Sequence, residues 1–261
     1  MSKFIAGLVF LFACSTPAVC KELTLLIQPI LDAKRTVTLY TPLANYIGKQ
    51  TGYKVKIIAT DNFLAYWNLM RQTKYDLILD AAHFTDFRVT KYNYEILVKI
   101  KDTVTYSLIS NEEDVFFDED ELIAKKVATV TSPSLGGIRL QQLYFNPARL
   151  PDIVDTPTFN VALEKLKRRE VVAAMVPTPL INGDLTVNTV LVTEPTPHMA
   201  LSASPAMSPK IKKRIKKILL DAKSIPGGEV MRQSMNISGF EKVHHSTYAG
   251  YARLLSGVWG Y

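Results

Sequence analysis

Short, uninterrupted apolar runs alternate with helical stretches along this chain, and few residues separate one from the next. Strands that are apolar along their whole length are typical of parallel sheets, which helices cover on both faces. The alternation therefore predicts parallel βαβ units with right-handed crossovers, that is, an α/β fold. The predicted strands are residues 23–27, 53–58, 75–79, 94–100, 106–110, 127–130, 171–176 and 190–193.

Ligands bind such sheets at the carboxyl ends of the strands. The candidate site loops therefore begin at Gln28, Thr60, Asp80, Thr131 and Pro177. The composition fits a chain with a large core, since 48% of its 261 residues are hydrophobic and 21% are charged. A formal net charge of +7 suits an anionic ligand or a negatively charged surface but establishes neither.

The N-terminus predicts a secretory signal peptide over residues 1–20. Lys3 precedes an apolar run, residues 4–13, that is too short to span a bilayer. Cleavage after Cys20 would leave a mature chain without cysteine, because Cys14 and Cys20 both lie in the leader. A lipoprotein modified at one of these cysteines is the alternative.

The loop at residues 129–137 is the main candidate for binding an anion. It follows a predicted strand and precedes a predicted helix, whose first N–H groups lack internal partners and carry the positive end of the helix dipole. Ser132 and Ser134 add hydroxyl donors, and Gly136 and Gly137 would let a ligand approach the backbone. The alternative is structural: Ser134 caps the helix and the glycines form a turn.

Other motifs favour structural interpretations. Residues 209–223 predict an amphipathic helix with a basic outer face, which we interpret as a solvated surface, since export argues against nucleic acid. The sequence has no G-x-S-x-G nucleophile motif, no Walker loop and no pair of histidines spaced for a metal. We therefore expect a protein that is not an enzyme and needs no cofactor or metal.

Five blocks of sequence, in order, resemble the phosphonate-binding proteins of ABC transporters. The blocks are residues 42–55, 75–78, 132–137, 162–174 and 239–255. The resemblance implies a type 2 periplasmic binding protein: two lobes, each a mainly parallel sheet flanked by helices, joined by a two-strand hinge. The implied first lobe is residues 21–101 together with 194–261, and the second lobe is residues 102–193.

The resemblance also implies which residues bind a ligand between the lobes. The family grips phosphonate oxygens with serine and threonine hydroxyls and helix N-terminal amides. The matching positions are Thr131, Ser132, Ser134, Gly136 and Gly137. In the other lobe, Asn62, Phe63, His83 and Phe84 lie where the family tends to place aromatic and polar contacts, and Thr178 is a further candidate. For His83 the alternative is a partly buried histidine at the start of a helix.

Two positions depart from the family pattern. Pro133 lacks an N–H, so the loop has one fewer backbone donor. Thr178 stands where the family often has an acidic residue for a ligand amine, which argues against an aminoalkyl-phosphonate.

The function implied by the resemblance is capture of a small oxyanion in the periplasm by a monomer. The protein would deliver this anion to an ABC permease of the inner membrane, with no nucleic acid as partner. Transfer to a membrane sensor kinase is the alternative, and an enzyme on the same fold is a lower-ranked one.

Overall fold

Two sheets covered by helices account for most of the chain that the computed structural model describes, residues 21–261. The predicted signal peptide, residues 1–20, lies outside the described residues. The strands are β1 Glu22–Ile27, β2 Lys54–Ile58, β3 Leu77–Asp80, β4 Glu95–Ile100, β5 Thr103–Val104, β6 Tyr106–Asn111, β7 Lys126–Thr129, β8 Asp152–Asp155, β9 Ala173–Pro177, β10 Val187–Val192, β11 Thr196–Pro197, β12 Ala200–Ala203 and β13 Phe240–Glu241. The helices are α1 Ala33–Thr51, α2 Phe63–Met70, α3 Ala82–Tyr92, α4 Leu135–Leu143, α5 Phe159–Lys167, α6 Pro209–Leu220 and α7 Gly228–Ser234.

The six-stranded sheet has the order β13-β4-β12-β3-β1-β2, and we call it, with its helices, the first lobe. Its strands β1, β2 and β3 are parallel, while β12 runs antiparallel to both β3 and β4. The five-stranded sheet, β10-β6-β9-β7-β8, forms the second lobe. There β7, β8 and β9 are parallel, so their carboxyl ends lie at one edge.

The chain passes between the lobes through a pair of two-residue strands. Strand β5 pairs antiparallel with β11, and the two form a small sheet of their own. This pair is the two-strand hinge that the sequence resemblance implied. Among residues 21–261, no helix is both long and apolar enough to cross a membrane.

Helix α1 contains a proline in its interior, at position 42. The helix runs continuously from its cap at Asp32, whose side chain accepts from the Arg35 N–H at 2.8 Å, and Pro42 lies inside it. It ends at Gly52, which adopts the left-handed conformation that glycine tolerates.

A buried ion pair fixes the end of β3. The guanidinium of Arg88 and the hydroxyl of Tyr66 both donate to Asp80 Oδ2, and Thr85 donates to Oδ1 at 3.0 Å. Asp80 and Arg88 are both completely buried, and a buried carboxylate needs such partners. Asp80 comes directly after a predicted strand, where ligand-binding residues are expected. Its carboxylate oxygens, however, accept hydrogen bonds from side chains of the first lobe.

Aromatic side chains join the two lobes in one core. Phe63 lies 6.1 Å from Phe84 within the first lobe and 6.2 Å, edge to face, from Phe159 of the second lobe, measured between ring centroids. Phe159 in turn packs against Tyr106 at 5.8 Å. These contacts close part of the space between the lobes, so any ligand site must lie beside them.

Candidate functional site

A cavity of about 310 Å³ lies where the two lobes meet. Its walls bring together loops that are far apart in the sequence. The lining residues are Asn62, Phe63 and Leu64 of the first lobe and Val130, Thr131, Ser132, Asp155, Thr156 and Pro157 of the second. Four predicted site residues from the two lobes, at positions 62, 63, 131 and 132, therefore share one cavity.

Three helices begin at this cavity. Asn62 caps α2, the loop containing Ser132 leads into α4, and the residues around Thr156 lead into α5. The N-terminal end of each helix presents N–H groups without helical partners and the positive end of its dipole. No lysine, arginine or histidine is among the lining residues. The field at the cavity that favours an anion therefore comes from helix ends and polar groups.

Ser132 has the geometry of a ligand donor. Ser132 is exposed, and its hydroxyl makes no hydrogen bond to any residue in the range 21–261. Asn62 faces it from the other lobe. The side-chain oxygen of Asn62 accepts from the Ala65 N–H at 2.8 Å, which leaves its amide NH₂ group to donate.

Ser134 takes the role that the sequence analysis gave as the alternative. Its hydroxyl accepts from the Gly137 N–H at 3.1 Å and donates to the Val130 carbonyl oxygen. The residue is completely buried and caps α4. In this structure its hydroxyl is therefore occupied within the loop and does not line the cavity.

The two glycines after Ser134 are explained by packing. A Cβ on Gly136 would lie 2.5 Å from the ring of Phe159, and a Cβ on Gly137 would lie 2.6 Å from the Val130 carbonyl oxygen. Both residues are buried. Close packing of α4 against Phe159 of α5 and against the backbone at Val130 accounts for them in this structure.

His83 connects the lobes. It is completely buried, and its Nε2 lies 2.9 Å from the carbonyl oxygen of Pro133 in the second lobe. This carbonyl can only accept, so Nε2 carries the proton, and Nδ1 has no partner among the described residues. Burial lowers the pKa of His83 to about 4, with the nearby Arg139 and Arg88 acting in the same direction. The ring is therefore neutral near pH 7 and forms an inter-lobe contact. It does not line the cavity.

The two remaining predicted residues lie apart from Ser132. Phe84 is completely buried against Phe63, Tyr66 and Trp67. Thr178 forms a hydroxyl cluster with Thr105 and Ser107, each at 2.8 Å. Its neighbours Pro177 and Pro179 line a different, mainly apolar cavity of about 250 Å³.

Asp155 is a residue of the cavity that sequence reasoning missed. Its Oδ1 accepts from both the N–H and the hydroxyl of Thr131, at 3.0 and 2.8 Å. It ends strand β8, which contains only Ile153 and Val154 as apolar residues and was not predicted. Its position at the carboxyl end of a strand was the signal that could have identified it. Within residues 21–261, no group of three or more histidine, cysteine or acidic side chains is arranged to hold a metal.

Comparisons with known proteins agree with this architecture. In solved structures, the chain is similar to the PhnD1 protein of Prochlorococcus marinus (MIT 9301), in complex with methylphosphonate, with a TM-score of 0.78 and 14% identity over 90% of this chain and 97% of that one. A binding protein component of an ABC phosphonate transporter from Pseudomonas aeruginosa gives a TM-score of 0.77 at 14% identity, over 90% and 85%. The GluR0 ligand-binding core from Nostoc punctiforme, in complex with L-glutamate, gives 0.58 at 16%, over 82% and 98%.

These neighbours share the fold, and the predicted type 2 periplasmic binding protein fold is confirmed. No curated protein sequence is significantly similar to the chain. The family model described as "ABC transporter, phosphonate, periplasmic substrate-binding protein" matches residues 25–248, most of the chain. The chain therefore belongs to the family of periplasmic substrate-binding proteins of phosphonate ABC transporters.

Proposed function

We propose that this protein captures a small phosphorus oxyanion, such as a phosphonate, phosphite or phosphate, in the cavity between its lobes. It then delivers the anion to the permease of an ABC transporter. Membership of the family supports the transport role. The structural neighbour from Prochlorococcus marinus, solved with methylphosphonate, supports this class of ligand.

The observation that carries the proposal is the cavity shared by Ser132 and Asn62. Each comes from a different lobe, each has a side-chain donor without a partner among the described residues, and helix N-termini surround them. An anion bound between them would hold the lobes together, which is the closure mechanism of such proteins. Each hydrogen bond to a charged oxygen contributes on the order of 1.5–3 kcal/mol.

Position 178 offers no carboxylate to an amine on the ligand. The position where the family often has an acid is Thr178, and its hydroxyl is bonded to Thr105 and Ser107. We therefore expect no strong preference for aminoalkyl-phosphonates over alkyl-phosphonates.

The protein acts in the periplasm as a monomer, without catalysis and without nucleic acid, after removal of residues 1–20. Mass spectrometry of the protein from its host should find Lys21 at the N-terminus. A lipid-modified cysteine at position 14 or 20 would contradict this cleavage.

A thermal-shift screen tests the function. Purified mature protein is melted with methylphosphonate, phosphite, phosphate, sulfate, a sulfonate and a carboxylate in turn. A ligand present at 100 times its Kd stabilises by about 2.7 kcal/mol, which raises the melting temperature by several degrees. We expect the phosphorus oxyanions to give the largest shifts. Shifts confined to carboxylates or amino acids would contradict the proposal.

A further inference from the structure

A carboxylate faces the cavity proposed for the anion. Asp155 lines it beside Ser132, and its Oδ1 accepts both hydrogen bonds that Thr131 can donate. Its other oxygen, Oδ2, has no hydrogen-bond partner within residues 21–261. Asp155 is exposed, so Oδ2 is open to water or to a donor group of a ligand in the cavity, and a carboxylate oxygen can only accept hydrogen bonds.

Among the residues that line the cavity, no positive side chain offsets this charge. The nine lining residues include no lysine, arginine or histidine, and Asp155 is the charged residue among them. An oxyanion that has lost all its protons would place a negative oxygen near the carboxylate of Asp155. With no proton between these two oxygens, the like charges repel. An oxyanion that keeps one proton can donate it to Oδ2 instead.

Thr131 makes this arrangement rigid. Because its N–H and hydroxyl both donate to the same oxygen, the Asp155 carboxylate is held against the loop that carries Ser132. Thr131 is thereby a positioning residue, and its donors are not available to the ligand. The ligand would meet donors at Ser132 and Asn62 and an acceptor at Asp155.

We infer that Asp155 is a specificity residue, which rests on the proposed function. Its Oδ2 accepts a hydrogen bond from a P–OH group of the bound anion. Phosphonates, phosphite and phosphate retain one proton on oxygen around neutral pH, because their second ionisation lies close to that range. Sulfate and sulfonates have none. The site therefore selects protonated phosphorus oxyanions against sulfur oxyanions of the same shape.

Calorimetric titration with methylphosphonate and methanesulfonate tests the inference. The variant is Asp155→Asn, whose side-chain oxygen can still accept from Thr131 while its NH₂ group donates to a deprotonated oxygen. The matched control is Asp152→Asn, which removes the same charge from the exposed beginning of the same strand. Melting of each ligand-free variant shows whether the fold is intact.

We expect the wild type and Asp152→Asn to prefer methylphosphonate by at least tenfold. Loss of a hydrogen bond that involves a charged group changes affinity roughly tenfold to a hundredfold, so Asp155→Asn should reduce this preference by that factor. The affinity of the wild type for methylphosphonate should also fall as the pH rises through the second ionisation of the ligand. In Asp155→Asn this dependence should disappear or reverse.

Three results would overturn the inference, and they differ from one another. An unchanged preference in Asp155→Asn would show that Asp155 does not select the ligand. A tenfold gain for 2-aminoethylphosphonate over ethylphosphonate, lost in Asp155→Asn, would show that Asp155 pairs with an ammonium group and not with P–OH. If the wild type bound no phosphorus oxyanion at all, the proposed function itself would be wrong.

Discussion

Gly136 lies where α4 packs against Phe159, the first residue of α5. The site for a Cβ on this residue is 2.5 Å from one ring carbon of Phe159 and 3.2 Å from the ring of Tyr106. Phe159 is completely buried and cannot move into solvent. A methyl group at this position would therefore displace a ring that also contacts Phe63 of the first lobe.

We predict that Gly136→Ala lowers the free energy of unfolding by roughly 1–3 kcal/mol, the usual penalty of overpacking. Urea unfolding followed by circular dichroism measures it. In Gly136→Ala combined with Phe159→Leu, the smaller side chain should make room, so the double variant should lose less stability than the sum of the single ones. A Gly136→Ala protein as stable as the wild type would refute the packing explanation.

At the scale of elements, strand length decided what the sequence could predict. The buried strands β1, β7 and β9 are apolar runs, and predictions from those runs agree with them to within a few residues. Hinge strands β5 and β11 have two residues each, too few for any periodicity. Strand β8 has two apolar residues, and β12 consists of small residues and one leucine.

Residues of the candidate site were likewise predicted only where the sequence carries a signal. Ser132 was found because a strand-to-helix loop leaves a signal in the sequence, and Asn62 was found through the family resemblance. Both remain predictions as ligand contacts. Asp155 was missed together with its strand. The hydroxyl of Ser134 and the ring of His83 looked available because burial is a property of packed elements. A serine at the start of a helix cannot reveal by itself whether it faces a cavity or its own backbone.

Across the whole molecule, contacts between the lobes hold it in the form described. They include the Phe63–Phe159 ring contact and the hydrogen bond from His83 to Pro133. His83 is buried within one such contact, and burial also lowers the pKa of His198, near the hinge, to about 4. Protonation of either ring is therefore unfavourable in the folded protein.

This predicts a loss of stability in acid. The folded pKa values near 4 lie below the ordinary value of 6.5, so the unfolded chain takes up protons first as the pH falls. The free energy of unfolding should be at its full value above about pH 6.5 and should fall toward pH 4. The loss is up to about 3 kcal/mol per histidine, at 1.36 kcal/mol per pKa unit.

Urea unfolding at several pH values between 7 and 4.5 measures this decline. His83→Gln keeps a side-chain donor for Pro133 but cannot titrate, so its stability should decline less with pH than that of the wild type. His198→Gln is the parallel variant for the hinge. Equal declines in the wild type and His83→Gln would show that burial of His83 does not govern the acid response.

The central claim is that the cavity between the lobes binds a phosphorus oxyanion through Ser132. Calorimetric titration of methylphosphonate into the wild type, Ser132→Ala and Ser208→Ala tests it most directly. Ser208 is an exposed serine at the start of α6 whose side chain makes no capping hydrogen bond, so it serves as the control. We predict that Ser132→Ala binds roughly tenfold to a hundredfold more weakly. Its melting temperature should not change, and Ser208→Ala should bind like the wild type. Wild-type affinity in Ser132→Ala would contradict the claim, because the loop would then be no more than a turn leading into a capped helix.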